Sequence, residues 1–233
     1  EEAGKAVGDF QYLLSDFHTR LLDDTIRHFH DTPYRYERFK RLLKENAKSE
    51  RVKECKEEIE FIKKRKDVMD YITSKIDSTE IPRRVCHNDT KISNIMIDEK
   101  TNEFMCLIDL DTVMKGSLLY DYGDALRMGA STALEDETDL SKVGISLPLI
   151  EAFTRGFLHE TRPRNDKIYI TDKEIDGLYY GYLIITLELG MRFLDDYIDG
   201  DKYYDADGTE KEYTIPAGMD YGEYHSEGNL HDA

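Results

Sequence analysis

The run His87-Asn88-Asp89-Thr90-Lys91-Ile92-Ser93-Asn94 gathers an acid, a cation and an amide into one short stretch between segments of β character. Further on, Leu107-Ile108-Asp109-Leu110-Asp111-Thr112 ends an apolar run in two carboxylates. Asp109 and Asp111 are separated by one residue, so on a strand they point to the same side. Carboxylates combined with an amide oxygen form a hard-oxygen site suited to Mg²⁺, which keeps several waters and binds substrate phosphates. A carboxylate not spent on metal can take the proton of an attacking hydroxyl. These are the groups that phosphoryl transfer requires. Singly, each has an ordinary structural explanation, since an Asp-rich turn caps a strand and a lone His braces a loop. The joint spacing is what argues for chemistry.

The elements that must hold this loop are legible in the hydrophobic pattern. Over residues 6–29, Val7, Phe10, Leu13, Leu14, Phe17, Leu21 and Leu22 recur at three- and four-residue steps and predict a helix. Pro33 breaks the pattern, and Tyr36, Phe39, Leu42 and Leu43 form a second short amphipathic stretch. A third helix is expected over 50–76, with Val52, Cys55, Ile59, Ile62, Met69, Ile72 and Ile76 on one face. Its mixed-sign charges over 53–67 read as a solvated face laced by i,i+4 pairs. After Ile81-Pro82, residues 85–87, 95–98 and 104–108 are short and β-prone. The last two flank a polar turn and predict a hairpin. Helices are expected again over 118–128, 147–158 and 178–198, the last apolar on so many sides that it reads as central and buried. In the tail, Asp207-Gly208 suits a hairpin turn, while Asp205-x-Asp207-Gly208 lacks the remaining spacing of a calcium loop. His28 and His30 read as a surface His-x-His.

The chain has 233 residues, with 32 Lys and Arg against 49 Asp and Glu, a net charge of -17. Such a balance disfavours a nonspecific phosphate-backbone binder, because nothing in the total drives counterion release. No nucleic-acid partner is expected, and no membrane partner. The 25 aromatic residues (16 Tyr and 9 Phe) argue for a packed core rather than disorder. Cys55, Cys86 and Cys106 are odd in number and share no metal-ligand spacing, which points to a reducing, cytoplasmic setting. No apolar run is long enough to span a bilayer, and the acidic, small residues 1–8 do not read as a signal peptide.

The catalytic-loop run matches the kinase pattern His-x-Asp-x-Lys-x-x-Asn at every named position. No Gly follows Leu110, and Tyr120-Asp121-Tyr122-Gly123-Asp124 lies downstream, so the chain resembles the aminoglycoside and choline phosphotransferase superfamily rather than a protein kinase. Residues 108–114 and the run Glu188-Leu189-Gly190-Met191-Arg192-Phe193 look like N-acetylhexosamine 1-kinases, and residues 3–11 resemble the segment that follows the hinge in those enzymes. The resemblance implies an α+β fold, mostly helical: the C-terminal lobe of a protein-kinase-like architecture with a small catalytic-loop β-hairpin. Residues 1–80 would be the helical part after the hinge, 81–115 the catalytic loop and metal-binding hairpin, 116–199 the substrate-side helices and 200–233 a tail.

The resemblance also implies roles. Asp89 is base or orienter for the accepting hydroxyl, and His87 braces the loop. Lys91 reaches the γ-phosphate of ATP, while Asn94 and Asp109 hold Mg²⁺ and with it the nucleotide. Asp111 has no counterpart in the general kinase pattern, and stands as a second metal contact or an acceptor for a sugar hydroxyl. Arg192 and Asp196 lie one helical turn apart, either as an i,i+4 ion pair or as substrate contacts. Asp121 and Asp124 read as a helix start that braces the loop.

A phosphotransferase of this fold also needs a small β-rich lobe with a phosphate-covering loop, a Lys for the α/β-phosphates and its Glu partner. No glycine-rich strand-turn-strand precedes Asp9, and the chain does not open on Met. The expectation is therefore the larger lobe of a two-lobed kinase, with little activity by itself. ATP and a small sugar are the expected ligands. An amino alcohol or aminoglycoside is the alternative acceptor, and a non-catalytic sugar- or protein-binding module the alternative class.

Overall fold

The computed structural model describes residues 1–134, 137–163 and 170–202. Nine helices and four short strands follow one another in these stretches. They are α1 (Glu2–Leu13), α2 (Thr32–Glu45), α3 (Glu50–Glu54), α4 (Lys56–Lys63), α5 (Lys66–Met69), α6 (Tyr71–Asp77), β1 (Arg84–Cys86), β2 (Ile95–Ile97), β3 (Phe104–Leu107), β4 (Met114–Gly116), α7 (Leu118–Gly129), α8 (Leu147–Glu160) and α9 (Asp172–Asp199). The fold is mostly helical with two small antiparallel sheets, as the sequence predicts.

α9 is the axis. It begins with a capping box, in which the Thr171 side chain accepts from the Glu174 amide and Glu174 reaches back to Thr171, and it ends at Gly200 with φ 100°. The expected central helix is thus real but starts earlier than residue 178, because the cap, not the apolar run, sets its first turn. Glu174 also receives Arg84 Nε at 2.5 Å and Nη2 at 2.7 Å, a bidentate pair that ties β1 to the start of α9. On one side of α9, Ile184 and Ile185 join Leu118, Leu119 and Leu126 of α7 in the larger core. On another, Leu187, Met191 and Leu194 meet Phe39 and Leu42 of α2 and Ile59, Ile62 and Met69 of α4 and α5.

Two expectations for the first third change. The helix expected over 6–29 runs only over Glu2–Leu13, followed by a single 3₁₀ turn at Thr19–Leu21. The apolar period continues to Leu21, but Phe17 and Leu21 are exposed, so no packing supports a longer helix against the turn-forming Ser15, Asp16 and Thr19. The helix expected over 50–76 is four short ones, α3 to α6. All four touch α9. The breaks at Cys55, Arg65 and Asp70 let one apolar face follow α9 around a corner, which a straight rod could not do. Pro33 proves to be a start rather than a break, sitting in the first turn of α2 behind an Asp31 cap.

The α7–α9 crossing is close because both helices carry glycine there. A Cβ on Gly181 would run into the Leu119 carbonyl, and one on Gly123 into the backbone of Gly181. Gly181→Ala is expected to destabilise the protein by about 1–3 kcal/mol, because backbone rather than a pliable side chain fills the space. Thermal unfolding of the variant checks this. An unchanged midpoint would mean that the two helices can separate without loss.

The hairpin expected from residues 95–98 and 104–108 forms as β2 and β3, with Ile95 opposite Leu107, Met96 opposite Cys106, and a bulge after Met96. Asp98 closes it, its carboxylate accepting from the Lys100 and Thr101 amides at 2.8 Å. The pairing of β1 with β4, Val85 opposite Lys115, has no counterpart in the sequence reading, since three residues are too few for a pattern. The tail motifs at Asp205, Asp207 and Gly208 lie outside the described residues.

Candidate active site

The loop 87–94 leaves β1 and is gripped from below by α7. Asp121, completely buried, accepts from the His87 amide at 2.9 Å and the Asn88 amide at 2.7 Å. Gln11 of α1 donates to the same carboxylate, and Thr90 Oγ1 donates to the Asp121 carbonyl at 2.6 Å. Burial pushes the Asp121 carboxyl up, against the opposing pull of His87 and the two amides. The bracing role expected for Asp121 is thereby met. Asp124, one turn on, is buried against Arg127, and its Oδ2 has no hydrogen-bond partner among the described residues. Burial pushes its carboxyl up as well, with Arg127 opposing.

Asn88 takes φ 64°, a left-handed conformation that asparagine tolerates better than most residues. Its side chain is spent entirely on the turn, donating to the Thr112 carbonyl at 2.9 Å and the Cys86 carbonyl at 3.3 Å. Thr112 Oγ1 in turn donates to the His87 carbonyl at 2.7 Å. The two segments singled out in the sequence are thus stitched together directly. His87 adds a further link: Nε2 faces the Ile108 carbonyl at 2.9 Å and so donates, while Nδ1 accepts from the Asp89 amide at 3.3 Å. Phe10 packs edge-on against its ring. His87 is fully buried and ties the loop to the segment around Ile108.

Above this platform stands Asp89. Its Oδ2 accepts from Asn94 Nδ2 at 2.9 Å and pairs with Lys91 Nζ at 2.9 Å. The second hydrogen of the Asn94 amide group goes to the Asp89 carbonyl, also at 2.9 Å, and the Asn94 carbonyl accepts from the Ile108 amide at 3.0 Å. Asp109 is therefore one residue beyond a backbone bond to Asn94. It has φ 64°, is exposed, and makes no hydrogen bond or ion pair among the described residues. The premise that Asp109 and Asp111 share a strand face is corrected: β3 ends at Leu107, and both residues lie in the turn before β4. The left-handed Asp109 is what breaks the alternation. Asp111 is exposed, and its carbonyl accepts from Thr25 Oγ1 at 3.1 Å.

The residues fit a small divalent cation of the hard-oxygen type. Both Nδ2 hydrogens of Asn94 are committed to Asp89, which leaves its side-chain oxygen as an acceptor, and the Asp109 carboxylate is uncommitted. Among the described residues no cluster of three or more His, Cys, Asp or Glu is placed to hold a metal. An ion here would rest on few protein oxygens and take the remainder from phosphate and water, the habit of Mg²⁺ rather than of a caged structural metal.

A family model described as the phosphotransferase enzyme family matches residues 1–151. The chain belongs to that family. The match takes in α1, the catalytic loop, both sheets and α7, and ends inside α8. Membership of the family points to a phosphotransferase of kinase type. No helix among the described residues is long and apolar enough to cross a membrane.

α9 lies beyond the matched region, yet it reaches the loop. Glu188, buried, accepts from His30 at 3.0 Å and pairs with Arg35 at 3.3 Å. Burial pushes Glu188 up, but His30, Arg35 and Arg192 outweigh it and hold the carboxyl below its usual range. Arg192 is thus near enough to Glu188 to act on its charge, and Asp196 is buried one turn further along. The reading of His28 and His30 as surface residues holds for His28, exposed and paired with Asp31 at 2.8 Å, and fails for His30. His30 faces the Asn88 carbonyl at 3.4 Å and packs on the Tyr120 ring. Gln11, His30 and Glu188 are the site residues the sequence reading missed. Gln11 had a signal, a polar residue on the apolar face of α1. Beside the loop, a cleft of about 830 Å³ is bounded by Arg27, His30, Asn88, Lys115 and Tyr120; it opens on the Asn88 side of the loop.

Proposed function

We propose that this phosphotransferase domain supplies the metal-holding and acceptor-holding part of an ATP- and Mg²⁺-dependent kinase, whose acceptor is the anomeric hydroxyl of an N-acetylhexosamine. The observation that carries the reading is the Asp89 carboxylate, fixed between Asn94 Nδ2 and Lys91 Nζ beside an uncommitted Asp109. Asp89 Oδ1 is not taken up by either contact and can orient the acceptor hydroxyl and receive its proton. Lys91, at 37% side-chain exposure, can turn its ammonium toward a phosphate arriving at Asp89. Asn94 and Asp109 would hold Mg²⁺, which when bound bridges phosphate oxygens and offsets their charge. Asp111, Arg192 and Asp196 are the acceptor-side candidates. Positioning and charge neutralisation supply most of the rate, because the protein does little covalent work in phosphoryl transfer.

The test is ADP release by the full-length gene product with ATP and Mg²⁺, offered N-acetylglucosamine, N-acetylgalactosamine, choline or an aminoglycoside in turn. Release with a hexosamine alone is the expected result, with product NMR placing phosphate on the 1-position. Release with the cations instead would keep the mechanism and overturn the acceptor; the net charge of -17 is what such acceptors would exploit. Sugar binding without release from any acceptor would support the binding-module reading.

A further inference from the structure

His30 has both ring nitrogens engaged by oxygens that act only as acceptors here. Nδ1 meets Glu188 Oε1 at 3.0 Å, and Nε2 meets the Asn88 carbonyl at 3.4 Å. A ring nitrogen that carries a hydrogen can donate to the oxygen it faces. The ring also packs at a tilt against two aromatic rings, 4.5 Å from that of Phe29 and 4.7 Å from that of Tyr120 between centroids. The charged groups that face it are Glu188 from α9 and Asp124 from α7, with Arg35 of α2 paired to the same Glu188. Arg35 closes the arrangement by donating to the Phe29 carbonyl at 2.9 Å through Nε while pairing with Glu188. The imidazole is therefore fixed from α9 and α2, not from the loop it touches.

What it touches is the peptide that aims Asp89. Asn88 sits at φ 64°, a conformation that persists only where its surroundings over-determine it. Asp121 secures its N–H, while Cys86 and Thr112 secure its side chain. The peptide plane that leads into Asp89 is then held at two points, by His87 Nδ1 accepting from the Asp89 N–H at 3.3 Å and by His30 at the Asn88 carbonyl. Rotating that plane moves the Asp89 Cα and swings the carboxylate away from Asn94.

We infer that His30, oriented by Glu188, is a positioning residue for Asp89, holding the Asn88–Asp89 peptide in the rotation that presents the carboxylate to the acceptor hydroxyl. The inference rests on the phosphotransfer reading above, and it links α9, which lies outside the matched family region, to the catalytic loop.

The experiment compares wild-type full-length protein with His30→Ala, His30→Gln and Glu188→Gln in the ADP-release assay, using whichever acceptor supports wild-type turnover. His30→Ala is expected to lower kcat about 100-fold, the scale on which a misplacement near 1 Å is felt, with KM for ATP and acceptor within about twofold of wild type. Glu188→Gln keeps an oxygen for Nδ1–H and should lose less. His30→Gln keeps one donor and should recover part of the loss. Free imidazole should restore activity to His30→Ala, because His30 borders the open 830 Å³ cleft and the deletion leaves a ring-sized space. A purely structural role would lower the unfolding midpoint without imidazole rescue, and that pattern overturns the inference. So does unchanged kcat, or a loss carried by KM, which would make His30 a substrate contact. If His30→Ala does not fold, the His30→Gln and Glu188→Gln turnover numbers decide, and wild-type values in both refute the role. An inactive wild type would count against the phosphotransfer reading itself, before any variant is compared.

Discussion

Asp89→Asn in the full-length protein is expected to lower kcat by about 10²–10⁴-fold, the usual share of a positioned general base. The substitution keeps the shape of the side chain, so Asn94 Nδ2 and Lys91 Nζ still find an oxygen where Oδ2 stands. What is lost is the negative charge and with it the capacity to draw a proton from the attacking hydroxyl. Acceptor affinity should therefore stay nearly intact, since a neutral hydroxyl can still hydrogen-bond to the amide. Steady-state kcat together with a direct titration of the acceptor separates the two effects. Unchanged turnover would remove Asp89 from its role. A loss of affinity matching the loss of rate would instead make it a binding residue, with the proton going elsewhere.

How much of this was legible depends on the range of the interaction concerned. The loop 87–94 and the hairpin that follows were readable because their information is local: residue type, spacing and a polar turn closed by Asp98. Asp121 was readable as a brace because a helix-start carboxylate next to a functional loop has few other uses. The breaks between α3 and α6 were not readable, since nothing at Cys55, Arg65 or Asp70 forbids a continuous helix. The direction of α9 imposes them. Likewise, the His-x-His at 28 and 30 has the same local sequence whether it faces water or the catalytic loop. Only the docking of Glu188, 158 residues away, turns His30 inward. The same-side argument for Asp109 and Asp111 failed for a different reason. It assumed that the strand continued, and a left-handed Asp109 is invisible in a one-letter alternation.

Asp121→Ala should be the most damaging single change to the fold of the site. The carboxylate accepts from two backbone amides of the loop and from Gln11, all buried. Removing it takes the acceptor from two buried loop amides and breaks the Gln11 contact, and each unsatisfied buried group costs about 1–3 kcal/mol. Relaxation and entry of a water into the space left behind would recover part of this, so a net loss of roughly 3–5 kcal/mol is expected, comparable to breaking a buried ion pair. For a protein of this size that lowers the thermal midpoint by about 10 °C. Asp121→Asn is the sharper comparison. It restores one acceptor oxygen but turns an NH₂ group toward amides that also donate, so the clamp on either His87 or Asn88 is exchanged for a clash. If the clamp serves only stability, Asp121→Asn measured well below its midpoint should turn over like wild type. If the clamp also aims Asp89, kcat falls even in fully folded protein, because the Asn88 peptide is then held by its carbonyl and side chain while its N–H is pushed away. The second outcome is the one expected, since the same strained residue carries both the amide that Asp121 grips and the carbonyl that leads directly into the catalytic carboxylate.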